Sequence, residues 1–466
     1  MFTDQLSHPI FQIVAEESTK LGFETYVVGG FVRDLHLERD SKDVDFVTIG
    51  SGITLAKAVS HRLPKSHLNV FKNFGTAQIK TEDWEFEFVG ARKESYDRRS
   101  RKPTVEDGTF DDDISRRDFT INTLAISLNT DSYGVLIDTF DGVSDLKNGI
   151  IRTPLEPRVT FSDDPLRMMR AVRFATQLNF RIADDTFSAL KSETKRLSII
   201  SQERITEELQ KIIKSPKPSI GFKILFDTKL LQEFFSEMVR LQGVEVREGR
   251  GHKDNFYHTL QVLDQICVRT DDIWVRWAAI LHDIAKPPTK RFVKGEGWTF
   301  HGHEDKGSRM VKPIFKRLKL PLGEPMRKVV NLVKLHLRPI ALTKDFITDS
   351  AVRRLIFDAG EDLEDLMILC KSDITTKNKK KEERFQANLV NVERNIEQVE
   401  ERDRIRNWQP PIDGKEIMGI FNIGPSREIG TIKTALKNAI LDGIIENNYE
   451  EAHNFVIEKG KELGLQ

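Results

Sequence analysis

The sequence predicts an α+β amino-terminal domain followed by all-helical domains. Short runs alternate with period 2 up to residue 89, as a sheet requires. Helical spacing governs the stretches 161–182, 201–213 and 252–373. The chain has 466 residues, which the usual length prior divides into about three domains.

Taken in order, residues 8–22 carry apolar side chains at helical spacing and stop at Gly22, a natural helix end. Tyr26, Val27 and Val28 read as a buried strand ending in Gly29-Gly30, followed by a helix-forming stretch with Arg33 and Asp34. Beyond a polar turn, Asp43-Val44-Asp45 enters Phe46-Val47 as a second strand. Residues 54–63 predict a helix, and 68–71, 76–80 and 84–89 three more strands, giving a mixed sheet with helices on one face. Residues 93–113 are charged and aperiodic, which predicts a mobile loop. Arg116-Arg117-Asp118 then precede a stretch expected to be an apolar helix capped by Asp118 or Thr120. Pro165, behind Asp163 and Asp164, suits the first turn of the next helix, and 201–213 a capped helix after it. Residues 252–373 form a separate helical module. The run 377–381 (KNKKK) is a solvated helix face or an RNA backbone contact. Helices follow Trp408, and Gly424-Pro425 before one of them would offer N–H groups to a phosphate. The expected boundaries are 1–140, 141–250, 251–375 and 376–466.

Lys+Arg and Asp+Glu stand at 72 each, so no net charge draws the whole chain to nucleic acid, and RNA contact must come from local basic patches. Cys267 and Cys370 lie in apolar helical stretches and predict buried thiols in a reducing compartment. No signal peptide is apparent and no run approaches the roughly 20 apolar residues of a membrane span, which predicts a cytoplasmic protein.

Chemistry concentrates at the first two strands. Alternation puts Asp43 and Asp45 on one strand face, about 7 Å apart, where they repel unless a cation sits between them. Mg²⁺ suits, because it takes carboxylate oxygens and keeps positions for substrate phosphates. The paired glycines let backbone N–H groups approach such phosphates at a helix N-terminus. A DxD alone is weak evidence, since two exposed aspartates in a turn look the same. Further on, Arg167, Arg170 and Arg173 recur every third residue among apolar neighbours. Partly buried arginines need anionic partners, either phosphates or ion pairs between domains.

The combination GGFVRD followed by DVD resembles the nucleotidyltransferase superfamily, in the branch of bacterial CCA-adding enzymes and poly(A) polymerases. RRDFTINTLA matches a further motif of that family, which singles out Arg117. On the last head strand the resemblance favours Glu87 as a third metal-binding acid; a solvent-facing glutamate is the alternative. FSDDPLRMMRAVRF is similar to the nucleotide-selecting motif E-D-x-x-R: Asp163 replaces the Glu, while Asp164 and Arg167 match. An aspartate accepts from the exocyclic amine of C or A, and arginine donates to the adjacent ring acceptor. Uracil and guanine present a carbonyl instead and leave both groups unpaired. His258, His282-Asp283 and Asp373, in that order on helices, resemble the metal set of the HD phosphohydrolase domain, with His303 and His336 available for a second metal.

The resemblance implies a nucleotidyltransferase head, an all-α neck, an HD domain and a helical tail. It implies transfer of C and/or A from CTP and ATP to the 3′ end of tRNA. Asp43 and Asp45 would hold two Mg²⁺; Gly30, Arg33, Arg117, Arg170 and Arg173 would hold triphosphate and sugar; Asp164 and Arg167 would read the base. A second divalent metal is implied in the HD domain. The segment KESYDRRSRKP points to full CCA or A-only addition rather than CC addition, and VFKNFGTAQI to a tRNA enzyme rather than a poly(A) polymerase. The alternative of another class is a phosphohydrolase with an inert head.

Overall fold

Gly22, at φ 71°, ends α1 (Pro9–Leu21) by returning its N–H to the carbonyls of Ser18 and Thr19. The computed structural model describes residues 2–95, 104–343, 348–375, 378–403 and 408–465. They fall into two units, Met1–Val239 and Arg240–Gln466.

In the first unit, β1 (Thr25–Val28), α2 (Gly30–His36), β2 (Asp43–Thr48) and α3 (Gly52–Ser60) follow α1. Next come β3 (His67–Phe71), β4 (Thr76–Lys80) and β5 (Glu85–Gly90), then β6 (Arg92–Ser95), β7 (Thr104–Asp107) and α4 (Phe110–Ser115). β8 (Ala125–Ser127) and β9 (Leu136–Ile137) complete the strands used here. The seven-stranded sheet runs β3-β4-β5-β2-β1-β8-β9 and is mixed: β2 and β5 are parallel, the other neighbours antiparallel. Alternation sorts β2 as expected. Val44 and Phe46 are buried, while Asp43 is exposed and Asp45 half-buried. Phe46 stacks on Phe88 at 4.9 Å and meets Phe11 of α1 at 6.1 Å. Each such buried ring stabilises the head by about 1.5–3 kcal/mol, which fixes the opposite face of the strand for polar groups.

Two expectations need correction. The described part of 93–113 is structured: β6 pairs with β7, and α4 opens on a capping box between Thr109 and Asp112. Residues 96–103 lie outside the described residues. The stretch after Arg117 is not a helix. A 3₁₀ turn, Thr120–Asn122, leads into β8, which pairs with β1. Sheet pairing outweighs local helical propensity there. Asp118 caps no helix, because its carboxylate is taken up by Arg170 and Asn122.

The helices α5 (Gly142–Asn148), α6 (Pro157–Asp163), α7 (Leu166–Leu178), α8 (Asp184–Glu193) and α9 (Gln202–Ile213) follow. Ser201 stands at the N-cap of α9, but its side chain makes no capping bond. The second unit is helical apart from short strand pairs such as Arg291–Val293 with Gly297–Thr299. Its helices include Asn255–Cys267, Ile273–Leu281, His303–Arg317, Glu324–Leu335, Leu363–Asp373 and Lys379–Asp403. The last begins with exposed Lys379, Lys380 and Lys381; Lys377 lies outside the described residues. Three further helices share a core of Ile417, Ile432, Leu436 and Val456. Cys370 is buried and Cys267 half-buried. Among the described residues no helix is long and apolar enough to cross a membrane.

Candidate active site

The corner between β1 and α2 is set by Gly29, at φ 76° and ψ −132°, a region only glycine adopts readily. A Cβ there would stand 3.1 Å from Arg117 Nη1 and 3.4 Å from Asp45 Oδ2. The backbone is therefore pressed against both a sequence-predicted acid and a sequence-predicted arginine. Across the sheet, the parallel register sets Asp45 opposite Glu87 and Asp43 opposite Glu85. Asp45, Glu87, Gly29 and Gly30 line one cavity of about 510 Å³; exposed Asp43 stands outside its lining.

Burial pushes Asp45 up to about 6, against the pull of Arg117 and helped by Glu87 and Asp43. Glu87 is also raised, by burial and then by Asp43. Asp43 is raised by burial and by Glu85. A carboxylate set on adjacent strands that resists ionising fits a divalent ion. Among the described residues, however, the head acids do not bring three donor atoms within 4.8 Å of one another. Further oxygens would come from a bound phosphate or water.

Among the described residues, eight arginines line the same cavity, against four carboxylates, in a chain that is neutral overall. Most of their guanidinium groups are held by other protein groups. Arg33 grips Asp34 through Nε and Nη2, both at 2.9 Å, and donates from Nη1 to Asn122 Oδ1 at 2.9 Å. Asn122 donates to Asp118 at 3.0 Å, and Asp118 accepts from Arg170 at 2.6 Å. Burial opposes the charge on Asp118, but Arg170 and Asn122 outweigh it and hold the carboxyl below its usual range. Arg173 lies 2.6 Å from Glu208 of α9, and burial lowers its pKa. Arg33, Arg170 and Arg173 also surround the ring of Phe174, at 5.2, 5.4 and 4.1 Å. Arg170 and Arg173 thus have protein carboxylates as partners from elsewhere in the same unit. Arg117 pairs with buried Asp113 at 3.1 Å.

Asp164 sits at the break between α6 and α7, where its Oδ1 accepts from the Leu166 N–H at 3.1 Å. Arg167 donates to the Arg116 carbonyl at 2.6 Å. Both line the cavity, as do Gly30, Arg33, Arg117, Arg170 and Arg173. The supporting residues Asp113, Asn122, Phe174 and Glu208 went unrecognised in the sequence. Asn122 and Glu208 meet Arg33 and Arg173 from distances in the chain that no short pattern spans, whereas Asp113 and Phe174 lie within four residues of an arginine they support.

In the second unit His258, His282, Asp283 and Asp373 converge. His258 Nε2 is 2.9 Å from Asp373 Oδ1, and His282 Nε2 is 3.3 Å from Asp283 Oδ2. Asp283 also belongs to a second trio with His303 and His336. The Nδ1 atoms of His282, His303 and His336 donate to the carbonyls of Ala279, Phe300 and Val333. Those bonds leave each Nε2 as a lone-pair donor. All three Nε2 atoms are buried without a hydrogen-bond partner, although carboxylates lie close. Orphan nitrogens facing acids fit a divalent ion, and both trios could hold one. Left to protons alone, burial would lower His282, but Asp283 and Asp373 push it up to about 10. His336 falls to about 4, through burial and then the His282 charge.

The chain matches three family models: a poly A polymerase head domain over residues 25–152, a probable RNA and SrmB-binding site of polymerase A over 179–241, and an HD domain over 255–404. It is 32% identical over 358 residues to an A-adding tRNA nucleotidyltransferase of Deinococcus radiodurans, covering 74% of this chain and 79% of that protein. A multifunctional CCA protein of Tolumonas auensis is 29% identical over 75% of this chain and 84% of its own length. An A-adding tRNA nucleotidyltransferase of Aquifex aeolicus is 46% identical over 166 residues, but the match spans only 36% of this chain and 20% of that protein. A solved tRNA nucleotidyltransferase complexed with a primer tRNA and an incoming ATP analog superposes with TM-score 0.59 at 25% identity, covering 82% of this chain and 98% of that one. An apo CCA-adding enzyme shares the fold with TM-score 0.62 at 22% identity, over 97% and 93% of the two chains. With a glycine corner, paired acids and an arginine-lined cavity in a chain that matches the head-domain model over residues 25–152 and the Deinococcus relative over 79% of its length, the chain belongs to the tRNA nucleotidyltransferase family.

Proposed function

We propose that this chain extends the 3′ end of tRNA with C and/or A, using CTP and ATP. The observation that carries the proposal is the juxtaposition, in one cavity, of Asp45 and Glu87 with Asp164, Arg167 and a surplus of arginines. The head (1–140) would supply the acids and the neck (141–250) the base-reading helix. The HD domain (251–375) and the tail (376–466) complete the division, the tail meeting tRNA.

Asp43 and Asp45, with Glu87 beside Asp45, would hold Mg²⁺, two ions in the full mechanism. Bound there, Mg²⁺ supplies acidification of the attacking hydroxyl and neutralisation of the triphosphate. Gly30 lends its backbone N–H at the start of α2. Arg33, Arg117, Arg170 and Arg173 present charge to phosphates and sugar, and their own carboxylate partners keep them aimed before substrate arrives. Asp164 accepts the exocyclic amine of C or A, and Arg167 donates beside it. The rejection of U and G then comes from buried groups left unpaired, which can reach ~10⁴.

The decisive experiment offers purified protein three tRNAs, ending before CCA, after one C and after CC, with CTP and ATP supplied separately. CCA addition extends all three in turn, whereas A-only addition extends just the third. Untemplated runs of A on any RNA would favour a poly(A) polymerase, and no incorporation on any substrate would overturn the proposal. A second activity is supported by the orphan Nε2 atoms: a divalent ion on His258, His282, Asp283 and Asp373 would make the HD domain a phosphohydrolase. Chelator-sensitive phosphate release from a 2′-phosphate or 2′,3′-cyclic substrate, lost in His282→Ala, tests it.

A further inference from the structure

Among the arginines of the head cavity stands a group that carries no charge. Phe174 of α7 lines the cavity and is 6% exposed. The Cζ atoms of Arg33, Arg170 and Arg173 lie 5.2, 5.4 and 4.1 Å from its ring centroid. All three distances fall inside the roughly 6 Å over which a ring face attracts a cation. Packing alone asks for apolar neighbours, and Phe119 is one, meeting the ring at 5.8 Å and 79°. That edge-to-face contact sets the plane of the ring. Three guanidinium groups around the same ring are more than packing requires.

Each of these arginines has a carboxylate of its own: Asp34 for Arg33, Asp118 for Arg170 and Glu208 for Arg173. The acids come from α2, from the turn ahead of Thr120 and from α9, so none of them gathers the three cations. Phe174 is common to all three. Like charges brought this close repel one another. Burial works against the charge on Arg173, and the Arg170 charge adds to it, while Glu208 opposes both. The negative face of an aromatic ring lowers that repulsion without neutralising the charges. A further carboxylate at the same place would hold the arginines equally well, but it would cancel the charge meant for an incoming anion.

We propose that Phe174 is a positioning residue for nucleotide binding, its ring gathering Arg33, Arg170 and Arg173 into one anion-binding surface before the triphosphate arrives. The proposal rests on the reading of this cavity as the nucleotide site, and it adds what holds three like charges together there.

The test replaces Phe174 in full-length protein with 4-fluoro-, 3,5-difluoro- and 3,4,5-trifluorophenylalanine. Fluorine nearly preserves the shape of the ring but drains negative potential from its faces step by step. With a tRNA ending in CC as acceptor, KM for ATP should rise with each fluorine, to roughly tenfold for the trifluoro ring. KM for the tRNA should stay level, and kcat should change by less than about twofold. A ring that only packs would leave KM for ATP unmoved, because its shape is kept. KM for ATP level along the series, or KM for tRNA rising as steeply, overturns the proposal. If the wild type incorporates no nucleotide, the reading of function falls, and calorimetric binding of inorganic tripolyphosphate along the same series decides the role of the ring. Affinity that drops with each fluorine supports it; equal affinity, or no binding by the wild type, overturns it.

Discussion

Asp45 is where chemistry and stability pull apart. Its carboxyl is pushed up to about 6 in the fold against 3.8 ordinarily, by burial first and by its acidic neighbours. A carboxyl raised on folding favours the native state only while protonated. Its contribution is thus lost as pH rises from about 4 through 6, and above pH 7 the cost is up to roughly 3 kcal/mol. Asp45→Asn should therefore abolish nucleotide incorporation and yet raise the metal-free unfolding midpoint. That gain should be largest at pH 7–8 and shrink toward pH 4, as denaturation at a series of pH values would record. Asp164→Ala should leave incorporation measurable but let UTP compete, because the acceptor that refuses a carbonyl is gone; unchanged preference against UTP would remove the assignment. Both residues were legible in the sequence, since each sits in a short motif with its partner two or three positions away. Glu208 and Asn122 were not: each meets its arginine through the fold, 35 or more positions along the chain.

At the scale of elements, the β1–α2 corner carries the closest tolerances. Gly29→Ala adds a Cβ to a backbone conformation that costs a non-glycine residue about 1–3 kcal/mol, and aims it at Arg117 and Asp45. We expect a matching loss of stability, with a rise in KM for ATP that exceeds any fall in tRNA binding. Equal effects on both substrates would mean a merely local distortion. Helix α7 presents a parallel case, its arginines held between Asp118 on one side and Glu208 of α9 on the other. The strands and most helices could be read from periodicity, because burial on one face writes itself into alternation. The turn at 120–122 and strand β8 could not. Residues 119–127 are buried throughout, polar and apolar alike, and a strand covered on both faces gives no period to distinguish it from a buried helix.

For the whole molecule, the two units imply separable responses to metal. An ion that binds only the folded second unit stabilises it by about 2.7 kcal/mol at a hundred times its Kd. Mn²⁺ should raise a thermal unfolding transition in the wild type, and His282→Ala should erase that shift while nucleotide incorporation in Mg²⁺ stays within about twofold. Loss of incorporation as well would tie the two centres together. The division into a sheet-bearing head and helical remainder was plain from the sequence. The sharing of Asp283 between two histidine trios was not, because His303 and His336 come from helices whose meeting no local spacing records. One further consequence lies in the parity of β2. The same two-residue beat that sends Val44 and Phe46 inward sends Asp43 and Asp45 outward beside Glu85 and Glu87. Sliding that strand by a single position would drown the acids in grease and strand the aromatic rings in water. A head that has folded at all has, by that fact, already aimed its acids.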